Sequence, residues 1–450
     1  MISISAKLHS AGRARPPGGP LRHAQVCAAR PEVGPYRTHL HPIALTLAFA
    51  LVACTTFASE PGFHRRRGLP HLAARAETGG ELRVAYLGGS ITAAEGWRSL
   101  ATARLRELLP HTTITEINAG LPGTGSDLGV CRLESDVLRH QPDLIFVEFA
   151  VNDASTPPAR VERTLEGIVR QTRRALPSAD IFFVYTVSTP GLLDLQAGRL
   201  PPAAQAMERV AAHYGIPSLH FGVEVARRVS AGSLVFKGTS ADGDRAFSLD
   251  GVHPTPAGHR IYFETLDRAL PLLLPNLTPR PALPPPLRAD NWERSGLQLA
   301  ADAARLGDWT PVPLDDANLR GATKALLPPT WRAATPGSAV EFTFTGTRFG
   351  FLGIAAPDSG EFAVSIDGGA PVRGTFFDAY ASPTFCRQRA WWFPETLAPG
   401  AHRARIELLA TALDKAAIKA DAGKPLDDPA PYSPNRLTLC GLIWIDAPAP

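Results

Sequence analysis

Three residues of this 450-residue chain, a serine, a histidine and an aspartate, have the types and the setting that nucleophilic catalysis requires. Ser90 lies in the stretch R-V-A-Y-L-G-G-S-I-T at 83–92, directly after a short apolar run and two glycines. A serine on a sharp turn between a strand and a helix is presented above the sheet edge, as a nucleophile must be. Because the same turn also suits an ordinary connection, Ser90 requires partners elsewhere in the chain.

Asp250 and His253 are the candidates for those partners. They lie three positions apart in the segment D-G-V-H-P. The carboxylate can therefore accept a hydrogen bond from one imidazole nitrogen and leave the other nitrogen free as a base. Two further polar residues are interpreted as structural: His259, on the helix predicted after this segment, and Glu148, on a predicted strand.

Two loops contain candidate donors for the negative charge that develops on an attacked carbonyl. The stretch N-A-G-L-P-G-T-G-S at 118–126 is a tight loop whose backbone N–H groups, including that of Gly123, can point outward. Its alternatives are a plain connector and a phosphate cradle, although the lysine of a P-loop is missing. In F-A-V-N-D, at 149–153, the amide of Asn152 can donate from the end of a strand, and its alternative role is a cap.

The elements that must position these residues alternate between short apolar runs and amphipathic stretches. Runs such as L-I-F-V at 144–147 are apolar on both faces, which is typical of a parallel sheet covered by helices on both sides. Strands are predicted over 82–88, 112–118, 143–151, 180–188 and 217–221, and helices over 97–109, 126–140, 159–176, 202–214 and 256–272. This order predicts a doubly wound α/β domain over 80–274 with its functional loops at the carboxyl ends of the strands.

Together the four loops supply the parts of an acyl-transfer site at one edge of the predicted sheet. Ser90 would attack the acyl carbon, His253 would remove its proton and later protonate the leaving alcohol, and Asp250 would orient His253. The backbone N–H groups of Ser90 and Gly123 and the amide of Asn152 would form the oxyanion hole. The alternative is a sheet with tight loops and no chemistry.

This set of residues resembles the SGNH (GDSL-like) hydrolase superfamily, whose four blocks contribute Ser, Gly, Asn and His in the order found here, over 81–275. Two positions depart from the usual blocks without removing a catalytic group. Gly89 replaces the aspartate before the nucleophile, and Ala150 replaces the glycine two positions before Asn152. The G-G-S-I-T form, with F-V-E-F-A-V-N-D, resembles a bacterial subgroup associated with carbohydrate esterases. The resemblance implies a flavodoxin-like three-layer fold, serine esterase chemistry, and no metal or organic cofactor.

The last part of the chain has a different texture. A proline-rich stretch at 275–290 predicts a stiff linker. From 291 to 450, period-two stretches such as V-E-F-T-F-T and the turn D-G-G predict an antiparallel β-sandwich or jelly-roll domain. Sandwich domains found beside carbohydrate esterases often resemble carbohydrate-binding modules. The triplet W-W-F at 391–393 either stacks on sugars or packs in a core or between domains. Cys386 and Cys440 either pair as a disulfide or remain buried thiols.

Residues 1–58 have the features of an export leader. The apolar run at 43–53 is too short for a membrane span and suits the core of a signal peptide. The stretch L-V-A-C ending at Cys54 resembles a lipobox with a lipid anchor, whereas T-F-A at 56–58 fits simple cleavage. Both predict an exported protein that is periplasmic, secreted or an outer-membrane lipoprotein. Of the 46 basic residues, against 42 acidic ones, six lie in this leader, so the charge does not indicate nucleic acid as a partner.

These features favour an exported serine esterase that removes short acyl groups, foremost acetyl, from a polysaccharide or oligosaccharide. The alternatives with the same chemistry are a lipase, a lysophospholipase, a thioesterase and an acetyltransferase. The sequence contains no long apolar lid, which argues against long acyl chains. A glycan-binding protein with an inactive hydrolase domain is the alternative from another class, and the retained candidate catalytic residues argue against it.

Overall fold

The computed structural model describes residues 62–274, 282–426 and 428–446. The predicted leader at 1–58, with its possible lipid site at Cys54, lies outside the described residues, as do 275–281 of the predicted linker. Within the described ranges, no helix combines the length and the apolar character needed to cross a membrane.

The apolar runs of the first half form a six-stranded sheet in the order β1-β6-β5-β4-β2-β3. All neighbours are parallel except β1, which pairs antiparallel with β6. The strands are β1 Phe63–His64, β2 Gly80–Gly88, β3 Thr112–Gly120, β4 Leu144–Glu148, β5 Asp180–Tyr185 and β6 Ser218–His220. Strands β2 to β6 match the five predicted strands, although β4 and β5 each end three residues early. From β2 the chain continues to β3 on one side, and from β3 it crosses to β4 on the other side of β2, so the flavodoxin-like switch point lies between β2 and β4.

Within residues 62–274, ten helices surround the sheet: α1 Pro70–Thr78, α2 Ser90–Ala93, α3 Trp97–Leu108, α4 Ser126–Cys131, α5 Leu133–Asp136, α6 Pro158–Ala175, α7 Thr189–Gln196, α8 Pro202–Tyr214, α9 Phe221–Ser230 and α10 Pro256–Ala269. Successive strand residues enter separate cores, since Val84 and Tyr86 pack on one face and Ala85 and Leu87 on the other. The result is the predicted three-layer arrangement. The single helix predicted over 126–140 is wrong in one respect, because the chain breaks at Arg132 into α4, α5 and a 3₁₀ turn.

The segment that contains Asp250 and His253 does not follow a strand of the main sheet. It follows β8 (Ala246–Ser248), which pairs with β7 (Val235–Lys237) in a separate two-stranded sheet. The backbone N–H of Thr189, at the start of α7, donates to the carbonyl of Gly251 at 2.9 Å. This bond ties the segment to the chain that leaves β5, so it reaches the predicted sheet edge by a route that the sequence pattern did not show.

The second half is a β-sandwich, and with it the predicted fold class is confirmed. One sheet has the order β10-β13-β18-β15-β16 and the other β11-β12-β19-β14-β17, with β9 also paired to β19. The strands are β9 Ser295–Leu299, β10 Ala304–Leu306, β11 Trp309–Pro311, β12 Trp331–Ala333, β13 Ala339–Gly346, β14 Arg348–Ala355, β15 Glu361–Ile366, β16 Val372–Thr375, β17 Arg387–Trp392, β18 Gly400–Leu408 and β19 Leu437–Ile445, and the helix is α11 Lys415–Asp421. Phenylalanine side chains from both sheets fill the core between them.

Two alternatives that the sequence left open are decided by packing. Cys386 and Cys440 are buried free thiols, so the disulfide pairing is wrong. Trp391 packs against Phe351 and Phe362 in the sandwich, and Trp392 packs against the core of the α/β half. The W-W-F triplet therefore packs inside the sandwich and between the two halves of the chain.

Candidate active site

Ser90, His253 and Asp250 form one chain of hydrogen bonds. Oγ of Ser90 lies 2.8 Å from Nε2 of His253, and Nδ1 of His253 lies 2.7 Å from Oδ2 of Asp250. An ionised carboxylate only accepts hydrogen bonds, so Nδ1 carries the proton and Nε2 accepts from the serine hydroxyl. The site is open, because the side chains of His253 and Asp250 are 53% and 55% exposed.

The charge of Asp250 is held by the local fold of its own segment. Its Oδ1 accepts from the backbone N–H groups of Val252 and His253, both at 2.8 Å, and from the hydroxyl of Ser248 at 3.0 Å. Partial burial raises the pKa of Asp250, but the hydrogen bonds from the ring and backbone of His253 outweigh it and hold that pKa well below its ordinary value. The carboxylate therefore stays ionised beside the imidazole.

Two glycines allow the close approach that places Ser90 at the start of α2. A Cβ on Gly88 would lie 2.7 Å from the carbonyl oxygen of Glu148, on the neighbouring strand. A Cβ on Gly89 would lie 2.1 Å from Oδ1 of Asn152. Because Ser90 is the first residue of α2, its N–H has no partner inside the helix and is available as a donor.

The two predicted oxyanion loops meet at one cavity. Gly123, with φ +73°, and Asn152 both line a space of about 190 Å³. The backbone N–H of Leu121 donates to the carbonyl of Gly88 at 2.9 Å, which fixes the Gly123 loop against the end of β2. The amide of Asn152 also packs on the residue that precedes Ser90. The structure thus brings Ser90, Gly123 and Asn152 to one end of β2 and β4.

Asp153 connects these two loops and was missed by the sequence interpretation, which passed over the acidic half of its N-D dipeptide. Its Oδ1 accepts from the backbone N–H of Ser126, the first residue of α4, at 3.1 Å. The side chain is buried, and its Oδ2 has no hydrogen-bond partner among the described residues. Burial raises the pKa of Asp153 to about 7. Its contacts make it a brace between the loop that follows β3 and the loop that follows β4.

Glu148 and His259 have the structural roles expected of them. The buried carboxylate of Glu148 accepts from the hydroxyls of Thr92 and Thr186, and burial raises its pKa. His259 is buried, and its Nδ1 accepts from the backbone N–H of Trp97 at 3.3 Å. Burial lowers the pKa of His259 to about 4. Neither side chain takes part in the hydrogen-bonded chain at Ser90.

The sandwich contributes the opposite wall of the cavity, which no motif in the sequence indicated. Arg389 and Ala390, on β17, line the same space as Gly123 and Asn152. The indole Nε1 of Trp392, on the same strand, donates to Oδ2 of Asp127 at 2.8 Å. The cavity is therefore composite, with one wall from the loops of the α/β half and one from a strand of the sandwich.

The arrangement has the parts required for acyl transfer: a hydroxyl, a base, an orienting carboxylate and candidate oxyanion donors. In the described part of the chain, no group of three His, Cys, Asp or Glu side chains is placed to hold a metal ion. The sequence expectation of a site without a cofactor remains a prediction.

Comparison with known proteins gives two kinds of match. Residues 86–261 match the family model of the GDSL-like lipases/acylhydrolases. A two-domain esterase active on acetylated mannans, crystallised with and without mannopentaose, superimposes with a TM-score of 0.67 at 22% identity, over 86% of this chain and 98% of its own. That likeness shows a shared two-domain fold.

A more limited match is an acetylxylan esterase from Geobacillus stearothermophilus, with a TM-score of 0.36 and 17% identity over 43% of this chain and 95% of its own. No curated protein sequence matches the chain.

Proposed function

We propose that this chain, whose residues 86–261 form a domain of the GDSL-like lipase/acylhydrolase family, removes acetyl groups from a polysaccharide or oligosaccharide. The observation that carries the proposal is the hydrogen-bonded chain from Ser90 through His253 to Asp250. The leader predicted from the sequence makes the enzyme an exported one.

In the proposed reaction, Oγ of Ser90 attacks the acetyl carbon while its proton passes to Nε2 of His253. The negative charge on the carbonyl oxygen is stabilised by the N–H groups of Ser90 and Gly123 and by the amide of Asn152. Collapse of this intermediate breaks the bond to the sugar oxygen, which takes the proton from His253 and leaves as a hydroxyl. His253 then removes a proton from a water molecule as the water oxygen attacks the acetyl-serine. Collapse of the second intermediate releases acetate, and His253 returns the proton to Oγ of Ser90.

Two features support a short acyl group on a bulky alcohol. The cavity beside Gly123 and Asn152 is about 190 Å³, which suits a small group. The side chains of His253 and Asp250 are more than half exposed, so a long chain can lie across the site without threading a tunnel. The esterase of the same two-domain fold is described as active on acetylated mannans, which agrees with a glycan as the alcohol.

The test is acetate release from acetylated mannan and acetylated xylan, with 4-nitrophenyl acetate as a small ester. Wild type should release acetate from at least one polymer, and Ser90→Ala should release none from any substrate. Ser230→Ala, which changes an exposed serine at the end of α9, is the matched control and should behave as wild type. Cleavage of the small ester without release from any polymer would reject the glycan and retain the esterase.

A further inference from the structure

Seven large apolar side chains are exposed in the described part of the chain, and two of them, Tyr380 and Phe385, lie on one loop of the sandwich. This loop, residues 376–386, joins β16 to β17 and is called the platform loop. Tyr380 is 61% exposed and Phe385 is 40% exposed. Two exposed aromatic rings on one loop form an apolar surface that a ligand can cover.

Both rings face the same guanidinium. The Cζ atom of Arg387 lies 5.8 Å from the centroid of Tyr380 and 5.6 Å from that of Phe385, distances at which a cation is attracted to an aromatic face. Nζ of Lys424 lies 4.9 Å from the Tyr380 ring as well. The platform loop and the side chains around it therefore combine two apolar ring faces with cationic hydrogen-bond donors. This combination is complementary to a sugar ring, which has an apolar C–H face and hydroxyl groups.

Arg387 connects this platform to the candidate active site. A Cβ on Gly123 would lie 3.3 Å from Nε of Arg387, so the side chain packs directly on the oxyanion loop. Its Nη2 bonds to Asp378, while Nη1 is buried and has no hydrogen-bond partner within the described residues. Asp378 also accepts from Arg389, which lines the composite cavity, at 3.0 Å. The platform and the cavity thus share one network of side chains.

The conformation of the platform loop is fixed by hydrogen bonds. The buried ammonium of Lys419 donates to the carbonyls of Ala379 and Ala381, on either side of Tyr380, at 3.0 and 3.2 Å. Ser382 and Phe385 exchange backbone hydrogen bonds of 3.0 and 3.1 Å. Such anchoring orders the exposed rings in advance and reduces the entropy lost when a ligand binds.

From these contacts we propose that Tyr380 and Phe385 form a glycan subsite through which the sandwich holds the sugar chain while an acetyl group enters the site of Ser90. The inference deepens the proposed function, since it names the residues that recognise the sugar part of the substrate. Arg387 places the subsite beside Gly123.

The experiment measures binding separately from turnover. In a Ser90→Ala background, mannopentaose and xylopentaose are titrated by calorimetry into the full chain, with and without Tyr380→Ala and Phe385→Ala. The double change should weaken binding of at least one oligosaccharide about tenfold or more, the scale expected for losing two aromatic contacts. Phe385→Leu keeps an apolar side chain without the ring, so its affinity should lie between those of the Ser90→Ala background and the double variant. Leu314→Ala, from a side chain 56% exposed elsewhere in the sandwich, should bind as the background does.

The outcomes distinguish this inference from the proposed function. Failure of both oligosaccharides to bind, or equal binding with and without the two rings, overturns the subsite. Ring-dependent binding without acetate release by the wild type keeps the subsite and rejects the esterase proposal. In the active enzyme, the double change should raise KM for acetylated oligosaccharide and lower its kcat/KM relative to that for 4-nitrophenyl acetate. A change in oligomeric state on sedimentation, with glycan binding intact, would assign the rings to a contact between copies of the chain.

Discussion

A Cβ atom on Gly89 would lie 2.1 Å from Oδ1 of Asn152, so the side chain of the proposed oxyanion donor occupies the space in which position 89 would carry its own. The motif that this chain resembles has an aspartate at that position. Here the glycine lets Asn152 pack against the turn that presents Ser90. The glycine that departs from the motif is therefore what allows the side chain of Asn152 to occupy this position.

Gly89→Ala should lower kcat by displacing Asn152. Removing one oxyanion donor costs about 10²- to 10³-fold in kcat, and this is the loss expected for Asn152→Ala. If Gly89→Ala acts through the same amide, the double variant should be no slower than the slower single variant, because the two changes remove one interaction. Rates on 4-nitrophenyl acetate provide the measurement. Multiplicative losses in the double variant would show that the two residues act independently.

Asp250→Asn should lower kcat by about 10²- to 10⁴-fold, since the imidazole loses both its orientation and its neighbouring charge. In the wild type the pKa of Asp250 lies well below its ordinary value, so this group stays ionised across the acid range. The loss should therefore be seen at every pH from acid to neutral, and kcat on 4-nitrophenyl acetate across this range provides the measurement. A kcat equal to that of the wild type would reject Asp250 as the group that orients His253.

Asp153 should act by holding two loops in register. Asp153→Ala removes the acceptor for the N–H of Ser126 and should lower kcat about tenfold, with a smaller change in KM, whereas Asp153→Asn keeps an acceptor and should restore most of kcat. Burial raises the pKa of Asp153 to about 7, so the folded chain holds a proton that the unfolded chain releases above about pH 4. The stabilising contribution of Asp153 should therefore fall as pH rises from about 4 to 7. Asp153→Asn should reduce that fall, and equal kcat in the Asn and Ala variants would reject the brace.

The sequence predicted those parts of the site that depend on local pattern. Ser90 follows an apolar run and two glycines, and Asp250 and His253 share one segment, so short-range spacing was sufficient to propose them. Asn152 was found at the end of a strand, where a parallel sheet exposes its loops. Ser90 and Asn152 converge because β2 and β4 are parallel neighbours. Asp250 and His253 are held near the same edge by the hydrogen bond from Thr189 to Gly251.

What the sequence did not predict depends on contacts between distant segments. The strand β8 is three residues long and pairs outside the main sheet, so no periodicity marks it. Arg387 meets Gly123 only because Trp392 and β17 pack on the α/β half. The predicted alternative of a disulfide is wrong for the same reason, because the distance between two cysteines is set by sheet geometry and not by spacing in the chain.

His220 should make the fold sensitive to acid. It is buried, and its Nδ1 accepts from the N–H of Gly222 at the start of α9 at 3.1 Å. Burial lowers the pKa of His220 to about 4, so between about pH 6.5 and 4 the unfolded chain binds a proton that the folded chain does not. The contribution of His220 should therefore lower stability as pH falls through that range, so the wild type should lose more of its urea midpoint between pH 7 and pH 5 than a variant without this ring. His220→Asn keeps a capping acceptor without a titrating ring and should shrink this difference. The exposed His111→Asn is the control and should leave it unchanged. An equal drop in the His220→Asn variant would show that other groups, such as His259, account for the acid sensitivity.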